Sequence, residues 1–366
     1  MAQCRLGIIG VGGFGLFSLE EYRRLPEIRI TAIAGTRPEK YAALAKRYNI
    51  PFHTTDWRAL VTHPEVDLVY LATPPDTRAE MALASLEAGK HIFCEKPLAL
   101  SLADADRMLA AAERAGLRVG INFVMRYSRL YDLVNALVAA RIFGDPQRFV
   151  FENNAGDLPA GHWFWDPARS GGILVEHGVH FFDIAGAIFG APQLLWAGMS
   201  RRENGEADRW LCALRYRERM FATFYHAFDK PSAVEHTRAV LECEQGTLAL
   251  DGWFPTHLTV EGLLAPTAID RARDLLPTAE VAPLPEPQSV LADGRRREVT
   301  HRIRAMVSSG DKEQAYAAAV GEAMRDFAAW VRDDGHTPRV TGADGRAALA
   351  TALAATGMAV RNAVGG

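Results

Sequence analysis

The sequence predicts an α/β protein in which a doubly wound parallel sheet at the N-terminus precedes an α+β part with a large, open, mostly antiparallel sheet. Three observations indicate this: a glycine-rich turn near the start, regular alternation of strand and helix up to about residue 122, and short strands joined by polar turns beyond it. A chain of 366 residues suggests roughly two domains. We therefore predict one domain over residues 1–122 and a second over residues 123–366.

The glycine-rich turn lies in the stretch RLGIIGVGGFG at residues 5–15, where three glycines fit the spacing G-x-G-x-x-G. Gly10 permits a tight turn, Gly12 lets the backbone approach a pyrophosphate, and Gly15 lets the following helix pack closely on the strand. Backbone N–H groups at the start of that helix favour phosphates. The pattern predicts a dinucleotide-binding Rossmann domain, with a bare structural turn as the alternative. The predicted contacts are Gly10, Gly12, Gly13, Phe14 and Gly15.

Strands and helices alternate over the first 122 residues. The predicted strands are 6–9, 28–34, 66–72, 91–94 and 119–123, and the predicted helices are 14–25, 39–48, 77–88 and 102–115. Such alternation implies parallel strands with right-handed crossovers. Ligands bind beyond the carboxyl ends of the strands in such sheets. The candidate loops are therefore 10–15, 35–40, 73–76 and 95–97.

The pattern changes beyond this region. Strands of an antiparallel sheet are predicted at 147–154, 194–200, 210–216, 221–228, 238–242, 247–250 and 257–260, and helices at 313–331 and 343–362. Residues 266–294 are rich in proline and charge, so we predict a surface excursion there. Phe149, Phe151, Phe221 and Phe224 predict an open sheet that is apolar on both sides of several strands. Such a face predicts self-association as a homodimer or homotetramer.

Composition narrows the class of protein. The net charge of −3 gives no reason to expect nucleic acid or a membrane surface as a partner. No apolar run reaches the roughly 18–20 residues of a membrane span, and the start of the chain lacks the pattern of a signal peptide. Four scattered cysteines without a C-x-x-C pair fit reduced thiols better than a disulfide scaffold or a zinc site. We expect a cytoplasmic protein without a metal.

The loop after the second strand bears on the choice of nucleotide. NAD-binding folds place Asp or Glu about 20 residues past the glycines, where it accepts hydrogen bonds from the adenosine ribose. The sequence here is Ala34-Gly35-Thr36-Arg37, so the acid is missing. Thr36 and Arg37 suit a 2′-phosphate, which a carboxylate would repel. We predict NADP(H) in preference to NAD(H). The alternatives are that Arg37 is a solvated loop charge or that Glu39 serves the ribose of NAD.

Two further loops carry proline beside the predicted site. Thr73-Pro74-Pro75-Asp76 offers a stiff, flat wall beside the cofactor, and a plain turn with Asp76 as helix N-cap is the alternative. Glu95-Lys96-Pro97 follows strand 91–94, and its proline fixes the backbone, which indicates held geometry instead of ordinary surface charge. Asn122 ends the last strand and can reach the nicotinamide side. The predicted cofactor contacts in these loops are Thr73, Pro74, Pro75, Glu95, Lys96 and Asn122.

Two longer runs resemble one family. AGKHIFCEKPL at 88–98 and SGGILVEHGVHFFD at 170–183, with the turns described above, make the whole chain similar to the Gfo/Idh/MocA family of NAD(P)-dependent oxidoreductases. The resemblance implies that Lys96 contacts substrate and nicotinamide and that Glu176 and His180 serve the chemistry. The chain departs from the family at Glu176, where Asp is usual, and at Arg78, where His is frequent. The tip at 35–37 resembles the NADP-using members.

The spacing of Glu176 and His180 supports that role. Residues four apart share one face of a helix, and an acid one turn from a histidine orients the imidazole and stabilises its charged form. We therefore predict that His180 takes a hydroxyl proton or returns it to a carbonyl, while Lys96 holds the same oxygen. The alternative is a helix salt link with no catalytic meaning. Asp183 is either a supporting partner or a charge on the helix face.

Two more side chains are candidate substrate contacts. Trp163, in the aromatic run before this helix, can stack on a sugar, and core packing is the commoner place for a tryptophan. Arg126, just past the last strand of the first domain, can line the pocket at the domain junction. The predicted substrate-binding set is Lys96, Arg126, Trp163, Glu176 and His180.

The predicted reaction is hydride transfer between a nicotinamide and a sugar, a polyol, or a cyclic alcohol or ketone. Two alternatives stay open at this point: a glycosidase of the same fold that uses tightly held NAD, and a nucleotide-binding regulator that has lost the chemistry. The presence of both Lys96 and His180 argues against the regulator.

Overall fold

The computed structural model describes residues 3–292 and 294–364, the side chain of residue 364 excepted. The chain forms two compact units. The first consists of Met1–Tyr127, Trp163–Asp183 and Ala317–Leu353, and the second consists of Ser128–His162, Ile184–Tyr316 and Ala354–Gly366. Residues 123–127 and two later stretches, Trp163–Asp183 and Ala317–Leu353, thus belong to the unit that holds the N-terminal sheet. The domain boundary after residue 122 stays a prediction.

A six-stranded parallel sheet forms the centre of the first unit. Its elements are β1 (Cys4–Ile9), α1 (Gly13–Tyr22), β2 (Ile28–Ala34), α2 (Pro38–Tyr48), β3 (Phe52–Thr54), α3 (Trp57–Val61), β4 (Leu68–Leu71), α4 (Pro75–Glu87), β5 (His91–Cys94), α5 (Leu102–Ala115) and β6 (Val119–Ile121). The strand order is β3-β2-β1-β4-β5-β6, with every neighbouring pair parallel. The order reverses between β1 and β4, which is where such sheets bind ligands. The short β3 and α3 lie outside the prediction, because so few residues give no periodic signal.

Burial in this sheet follows its sequence. All four residues of β4 are buried, and β1 buries five of its six, as expected for strands that are covered on both faces. Phe327, from a helix far along the chain, lies with its ring centroid 5.2 Å from that of Phe93 in β5. A Cβ at Gly120 in β6 would come within 2.4 Å of the Phe327 ring. This glycine therefore lets the aromatic side chain close over the end of the sheet.

The second unit is built around a nine-stranded sheet. The elements after β6 are α6 (Arg129–Ala139), β7 (Pro146–Gly156), α7 (Pro167–Ser170), α8 (Val179–Phe189), β8 (Pro192–Arg201), β9 (Ala207–Tyr216), β10 (Met220–Lys230), β11 (His236–Cys243), β12 (Gly246–Asp251), β13 (His257–Leu264), α9 (Ile269–Leu275), β14 (Glu280–Ala292), β15 (Arg295–Ser308), α10 (Lys312–Arg332) and α11 (Gly342–Val364). The strand order is β14-β15-β13-β12-β11-β7-β10-β9-β8. Neighbouring strands run antiparallel except β7 and β10. The predicted fold class is therefore confirmed.

One face of the nine-stranded sheet is buried and the other is open. Phe149, Phe151 and Phe224 lie on the buried face, where the Phe224 ring is 5.7 Å and 6.0 Å from the other two. Phe221 lies on the open face and is 55% exposed. Successive side chains of a strand point to opposite faces, so the prediction of an exposed apolar face is wrong for three of these four rings.

Residues 266–292 are mostly exposed, which agrees with the predicted surface position, but they form regular elements that the sequence did not predict, and residue 293 lies outside the described residues. This segment forms α9 and then β14, which pairs with β15 as the edge strand of the large sheet. Proline cannot donate a hydrogen bond to a ladder, so an edge strand or a bulge is where a sheet accommodates it. The pairing of β14 with β15 is interrupted between Pro283 and Gln288. The prolines therefore mark the edge of the sheet.

One helical stretch, Pro167–Phe189, is long and apolar enough to cross a membrane by length and composition alone. Of its most apolar window, 67% is buried inside the protein. A core helix of a globular protein passes the same test, so this stretch is weak evidence for a membrane span.

Candidate active site

The glycine-rich turn connects β1 to α1. Gly10 has φ +94°, and a Cβ there would lie 2.7 Å from the Ala72 carbonyl oxygen. A Cβ at Gly15 would lie 1.9 Å from the Gly10 carbonyl oxygen. The turn itself therefore requires both glycines. Gly12 and Gly13 differ, because an added Cβ at either position would have no atom within 4 Å. They leave open space at the start of α1, where free backbone N–H groups can bind an anion.

Helix α2 closes over the tip of β2. Thr36 and Arg37 at this tip are exposed. A Cβ at Gly35 would lie 1.9 Å from the ring of Tyr41 in α2. The Tyr41 hydroxyl accepts a hydrogen bond from the Val11 N–H at 2.7 Å. The packing of Tyr41 is thus sufficient reason for a glycine at position 35.

The turn after β4 runs directly into α4. The helix begins at Pro75, with Pro74 as its N-cap, and Asp76 lies inside its first turn. The alternative in which Asp76 caps the helix is therefore wrong. The Asp76 carboxylate instead lies 3.7 Å from the Arg169 guanidinium.

Arg78 joins two of the predicted loops. It is 2% exposed, and its guanidinium donates to the carbonyl oxygen of Thr73 at 2.6 Å and to that of Pro97. The turn at 73–75 and the loop at 95–97 are thereby held to one another. Burial lowers the pKa of Arg78, and the negative charges of Glu95 and Glu176 act against that lowering. The guanidinium is therefore a buried positive charge beside the predicted site.

Glu95 ties together the ends of three elements. Its Oε1 accepts hydrogen bonds from the Tyr70 hydroxyl of β4 at 2.7 Å and from Asn122 Nδ2 at 2.8 Å. The Tyr70 hydroxyl also lies 3.0 Å from Ser18 Oγ in α1. Burial raises the pKa of Glu95, while the hydrogen bonds from Asn122 and Tyr70 lower it. This network fixes the start of the loop that carries Lys96.

Lys96 and Glu176 meet although 80 residues separate them in the chain. Lys96 Nζ lies 2.5 Å from Glu176 Oε1 and 2.8 Å from the Glu176 carbonyl oxygen. The two side chains are 16% and 15% exposed. Because both are largely withdrawn from water, this pair differs from an ordinary surface ion pair. The carboxylate predicted to orient His180 binds Lys96.

The segment that carries Glu176 and His180 is not a regular α-helix. Gly171 and Gly172 have positive φ, Leu174–Gly178 form a π-helical turn, and α8 begins only at Val179. A π-helical hydrogen bond spans five residues. Residues four apart therefore no longer align on one face as in an α-helix, and the predicted α-helical alignment of the two side chains is wrong.

His180 is 4% exposed, and its ring packs edge-on against Phe123 at 6.0 Å between centroids. Burial lowers the pKa of His180 well below 6.5, and the positive charge of Lys96 lowers it further. The same two causes lower the pKa of His177 to about 3. Both imidazoles are therefore neutral at pH 7, the form that can accept a proton. Both lie within electrostatic reach of Lys96.

The two other predicted substrate contacts have different surroundings. Arg126 forms a bidentate pair with the buried Asp183, both contacts at 2.8 Å, and lies 3.3 Å from Asp344. Asp183 is thus a buried partner of Arg126 and not a charge on an exposed helix face. Trp163 is half-buried in a short 3-10 turn, with its ring 6.5 Å from that of Phe164. The contacts of Arg126 and Trp163 with substrate stay predictions.

The ends of the parallel strands fit a dinucleotide. Thr73 Oγ1 and Asn122 Oδ1 are buried and have no hydrogen-bond partner in the described part of the chain. One follows β4, the other follows β6, and the open space at Gly12 and Gly13 follows β1. These are the carboxyl ends at which such sheets bind nucleotides. Within residues 3–292 and 294–364, no group of three or more His, Cys, Asp or Glu side chains could hold a metal ion.

Three side chains that hold the site were not assigned from the sequence. Arg78 has a signal, because it departs from the resembled motif, but its role as a link between loops needs the coordinates. Tyr70 lies in a strand buried on both faces, where a phenol needs a partner for its hydroxyl. Tyr41 has only the indirect signal of a glycine at position 35.

Comparison with known proteins agrees with this geometry. Residues 4–123 match the oxidoreductase family with an NAD-binding Rossmann fold, and residues 131–249 match the GFO/IDH/MocA C-terminal domain. A myo-inositol 2-dehydrogenase of Thermotoga maritima is 29% identical over 187 residues, which are 51% of this chain and 55% of that protein. A trans-1,2-dihydrobenzene-1,2-diol dehydrogenase of Bos taurus is 26% identical over 263 residues, 70% of this chain and 78% of that protein. The chain spans about half the length of several curated relatives.

Solved structures share the fold. A 3-ketoreductase from Actinomadura kijaniata, in complex with NADP and TDP-benzene, has a TM-score of 0.76 at 20% identity, covering 97% of this chain and 98% of that one. An oxidoreductase domain protein from Kribbella flavida has a TM-score of 0.78 at 21% identity, covering 99% and 98%. At such identities the likeness shows the fold alone. The two family matches cover more than half of the chain, and the chain belongs to the GFO/IDH/MocA oxidoreductase family.

Proposed function

We propose that this chain is an NAD(P)-dependent oxidoreductase that interconverts an alcohol and a ketone on a sugar, polyol or cyclic substrate. The observation that carries the proposal is the ion pair of Lys96 with Glu176, 2.5 Å between Nζ and Oε1, in which Glu176 lies on the same segment as the buried imidazole of His180. Two comparison proteins are named as a myo-inositol 2-dehydrogenase and a 3-ketoreductase. Those names support a substrate that carries CH–OH or ketone groups.

The proposed cofactor is NADP(H) in preference to NAD(H). Support comes from the open space at Gly12 and Gly13, the buried free acceptors of Thr73 and Asn122, and the exposed Arg37 at a tip without an acid. The solved 3-ketoreductase contains NADP. A bound nicotinamide supplies or takes up the hydride. The protein's share of the chemistry is then proton transfer, charge stabilisation and positioning.

His180 is the proposed proton carrier. In the oxidation direction an imidazole nitrogen accepts the proton of the substrate hydroxyl, and in the reduction direction it returns that proton to the carbonyl oxygen. The lowered pKa keeps the ring neutral at pH 7 but makes it a weaker base. It also makes the protonated ring a strong acid, which favours return of the proton.

Lys96 is proposed to hold the reacting oxygen. An ammonium group has three donors, and in the described part of the chain two of them reach the carboxylate and the carbonyl oxygen of Glu176. The third is left for a substrate oxygen, where it stabilises developing negative charge. Glu176 acts on the reaction by fixing the direction in which the ammonium points.

The test is nucleotide binding followed by turnover. Purified protein is titrated with NADP+ and NAD+ by calorimetry, and a panel of polyols and sugars is then screened by absorbance at the nicotinamide band. H180A is expected to lower kcat by ~10²–10⁴-fold with little change in nucleotide Kd, and the exposed-site variant H257A serves as control. Full activity of H180A would refute the role of His180. Nucleotide binding without turnover would indicate a regulator, and product release without net nucleotide reduction would indicate a glycosidase.

We also propose that the chain self-associates, with the open face of the sheet packing against the same face of a second copy of the chain. Eight strands place one uncharged residue each in a continuous cross-strand row. In order from β8 to β15 the row is Trp196, Ala213, Thr223, Val150, Val240, Ala249, Thr259 and Met306. Trp196 is 47% exposed and Met306 is 73% exposed. A row this long on a monomer surface indicates an interaction site.

The charged residues beside this row favour a second copy of the same chain as the partner. Arg148 lies 3.7 Å from Glu242, and Arg304 lies 3.5 Å from Glu261, each pair formed across neighbouring strands. Because positive and negative charges are balanced within the sheet, two identical faces can meet without net repulsion, as a two-fold interface requires.

The proposed location is the cytoplasm, since Cys4, Cys94, Cys212 and Cys243 are all free thiols.

A further inference from the structure

Gly35 lies at the tip of β2, and the ring of Tyr41 fills the space that a side chain at this position would occupy. Gly35 follows Gly15 at the distance of about 20 residues where nucleotide-binding folds place a ribose-binding acid. A Cβ at Gly35 would lie 1.9 Å from both Cζ and Oη of Tyr41. No side chain at position 35 can therefore coexist with Tyr41 in this rotamer. The phenol occupies the space into which the acid would extend.

Helix α2 also holds the glycine-rich turn. The Tyr41 hydroxyl accepts the Val11 N–H at 2.7 Å, and the Lys40 ammonium donates to the Val11 carbonyl oxygen at 2.6 Å. Val11 lies between Gly10 and Gly12 and is fully buried. Two adjacent residues of α2 thus bind both backbone polar groups of one residue in the predicted pyrophosphate turn.

The Tyr41 hydroxyl keeps an unused donor. It accepts one hydrogen bond, and within the described part of the chain its own hydrogen has no acceptor. Burial raises the pKa of Tyr41, while the hydrogen bond from Val11 and the positive charge of Arg37 lower it. Arg37 lies at the same tip, two residues after Gly35, and is exposed. Lys40 adds a second positive charge at the same turn. Where other nucleotide-binding folds have a ribose-binding acid, this chain therefore has the neutral hydroxyl donor of Tyr41, with the positive charges of Arg37 and Lys40 nearby.

We propose that Tyr41 replaces the missing acid as the side chain that recognises the adenosine ribose, and that Tyr41 with Lys40 and Arg37 sets the preference for a 2′-phosphate. The inference rests on the proposed function, in that it requires a bound dinucleotide. A phenol donates to a ribose or phosphate oxygen without repelling it, whereas a carboxylate would repel a 2′-phosphate. Lys40 and Arg37 attract that phosphate.

Because Tyr41 packs against Gly35, the inference can be tested by nucleotide binding alone, without measuring catalysis. Calorimetry measures Kd of NADP+ and NAD+ for the wild type and variants, and thermal denaturation without nucleotide measures folding. Y41F is expected to weaken NADP+ by about 2–10-fold, the loss of one hydrogen bond. K40Q is expected to weaken NADP+ by about 10-fold and NAD+ by a smaller factor, because Lys40 also holds the Val11 carbonyl of the turn that both nucleotides would use. Y48F, on the same helix with its hydroxyl on Glu20, is the matched control.

The double variant tests the replacement directly. G35D alone is expected to lower Tm, because its Cβ collides with the Tyr41 ring. G35D/Y41A removes that ring, so its Tm is expected to exceed that of G35D. The new carboxylate should then lower the preference for NADP+ over NAD+ by about 100-fold or more, because like charges face one another.

The outcomes separate this inference from the proposed function. If the wild type binds neither nucleotide, both fail. If it binds NADP+ but Y41F and K40Q match it for both nucleotides, only the inference fails. Retained NADP+ preference in a folded G35D/Y41A would overturn it as well. Should the double variant not fold, the ratios for Y41F and K40Q decide the question.

Discussion

The half-buried His177 and the buried His180 make the stability of the protein dependent on pH. Both imidazoles are neutral in the folded chain because burial and the charge of Lys96 lower their pKa. The unfolded chain takes up protons on these rings as pH falls through about 6.5. The folded chain does not do so until far lower pH. The free energy of unfolding is therefore expected to fall as pH decreases from 7 to 5.

The size of the effect follows from His177. Its pKa is about 3 in the folded chain and about 6.5 in the unfolded chain. Between pH 7 and pH 5, this one group is expected to shift the free energy of unfolding by about 2 kcal/mol in favour of the unfolded chain. His180 acts in the same direction. Asp183, whose pKa burial raises to about 7, takes up a proton in the folded chain and acts in the opposite direction.

The assay compares the wild type with H177Q by urea denaturation at pH 5, 6 and 7. The glutamine side chain cannot titrate, so the variant is expected to lose about 2 kcal/mol less than the wild type over this range. The contribution of Asp183 is common to both proteins and cancels in the comparison. The exposed-site variant H53Q is the control and is expected to follow the wild type. Parallel pH curves for the wild type and H177Q would refute the buried neutral imidazole.

Three further substitutions test other contacts. E176D retracts the carboxylate by about 1.5 Å, opening the 2.5 Å contact with Lys96. We expect kcat to fall by up to about 100-fold with nucleotide Kd unchanged, and an unaltered kcat would contradict the positioning role. R78M removes two charge-assisted hydrogen bonds, to the buried Pro97 carbonyl and the part-buried Thr73 carbonyl. It should lower the free energy of unfolding by about 3 kcal/mol in urea denaturation, with R78K recovering part of the loss. F221D places a charge on the open face and should shift light-scattering mass to a smaller assembly; a monomeric wild type would remove the proposed interface.

Much of the fold could be predicted because the apolar patterns and the glycines that follow them place the ends of strands and helices at the same positions. The predicted bounds of β2, β5 and α5 match the structure residue for residue, and Gly35, Gly89 and Gly116 follow close after regular elements. The hairpin of β14 and β15 could not be predicted, since its prolines argue against a strand wherever position in the sheet is unknown. Which face a phenylalanine occupies depends on register, which the sequence of one strand does not define.

The sequence suggests which residues form the candidate site but does not show which of them bind one another. Motifs in the sequence predict Lys96, Glu176 and His180, and in the structure Lys96 binds Glu176. The choice of Lys96 as the partner of Glu176 depends on a π-helical turn and on a loop 80 residues away. A helix rule that assumes 3.6 residues per turn cannot give that result.

The triplet Glu95-Lys96-Pro97 shows why the amine is well placed. Each residue of the triplet is bound by a different part of the first unit: Glu95 by Tyr70 and Asn122, Lys96 by Glu176, and the Pro97 carbonyl by Arg78. A flexible lysine loses side-chain freedom when it must point at one oxygen. Here the backbone on both sides of Lys96 and its ammonium group are held before any substrate arrives. The proposed role of Lys96, electrostatic stabilisation of a reacting oxygen, requires such preorganisation.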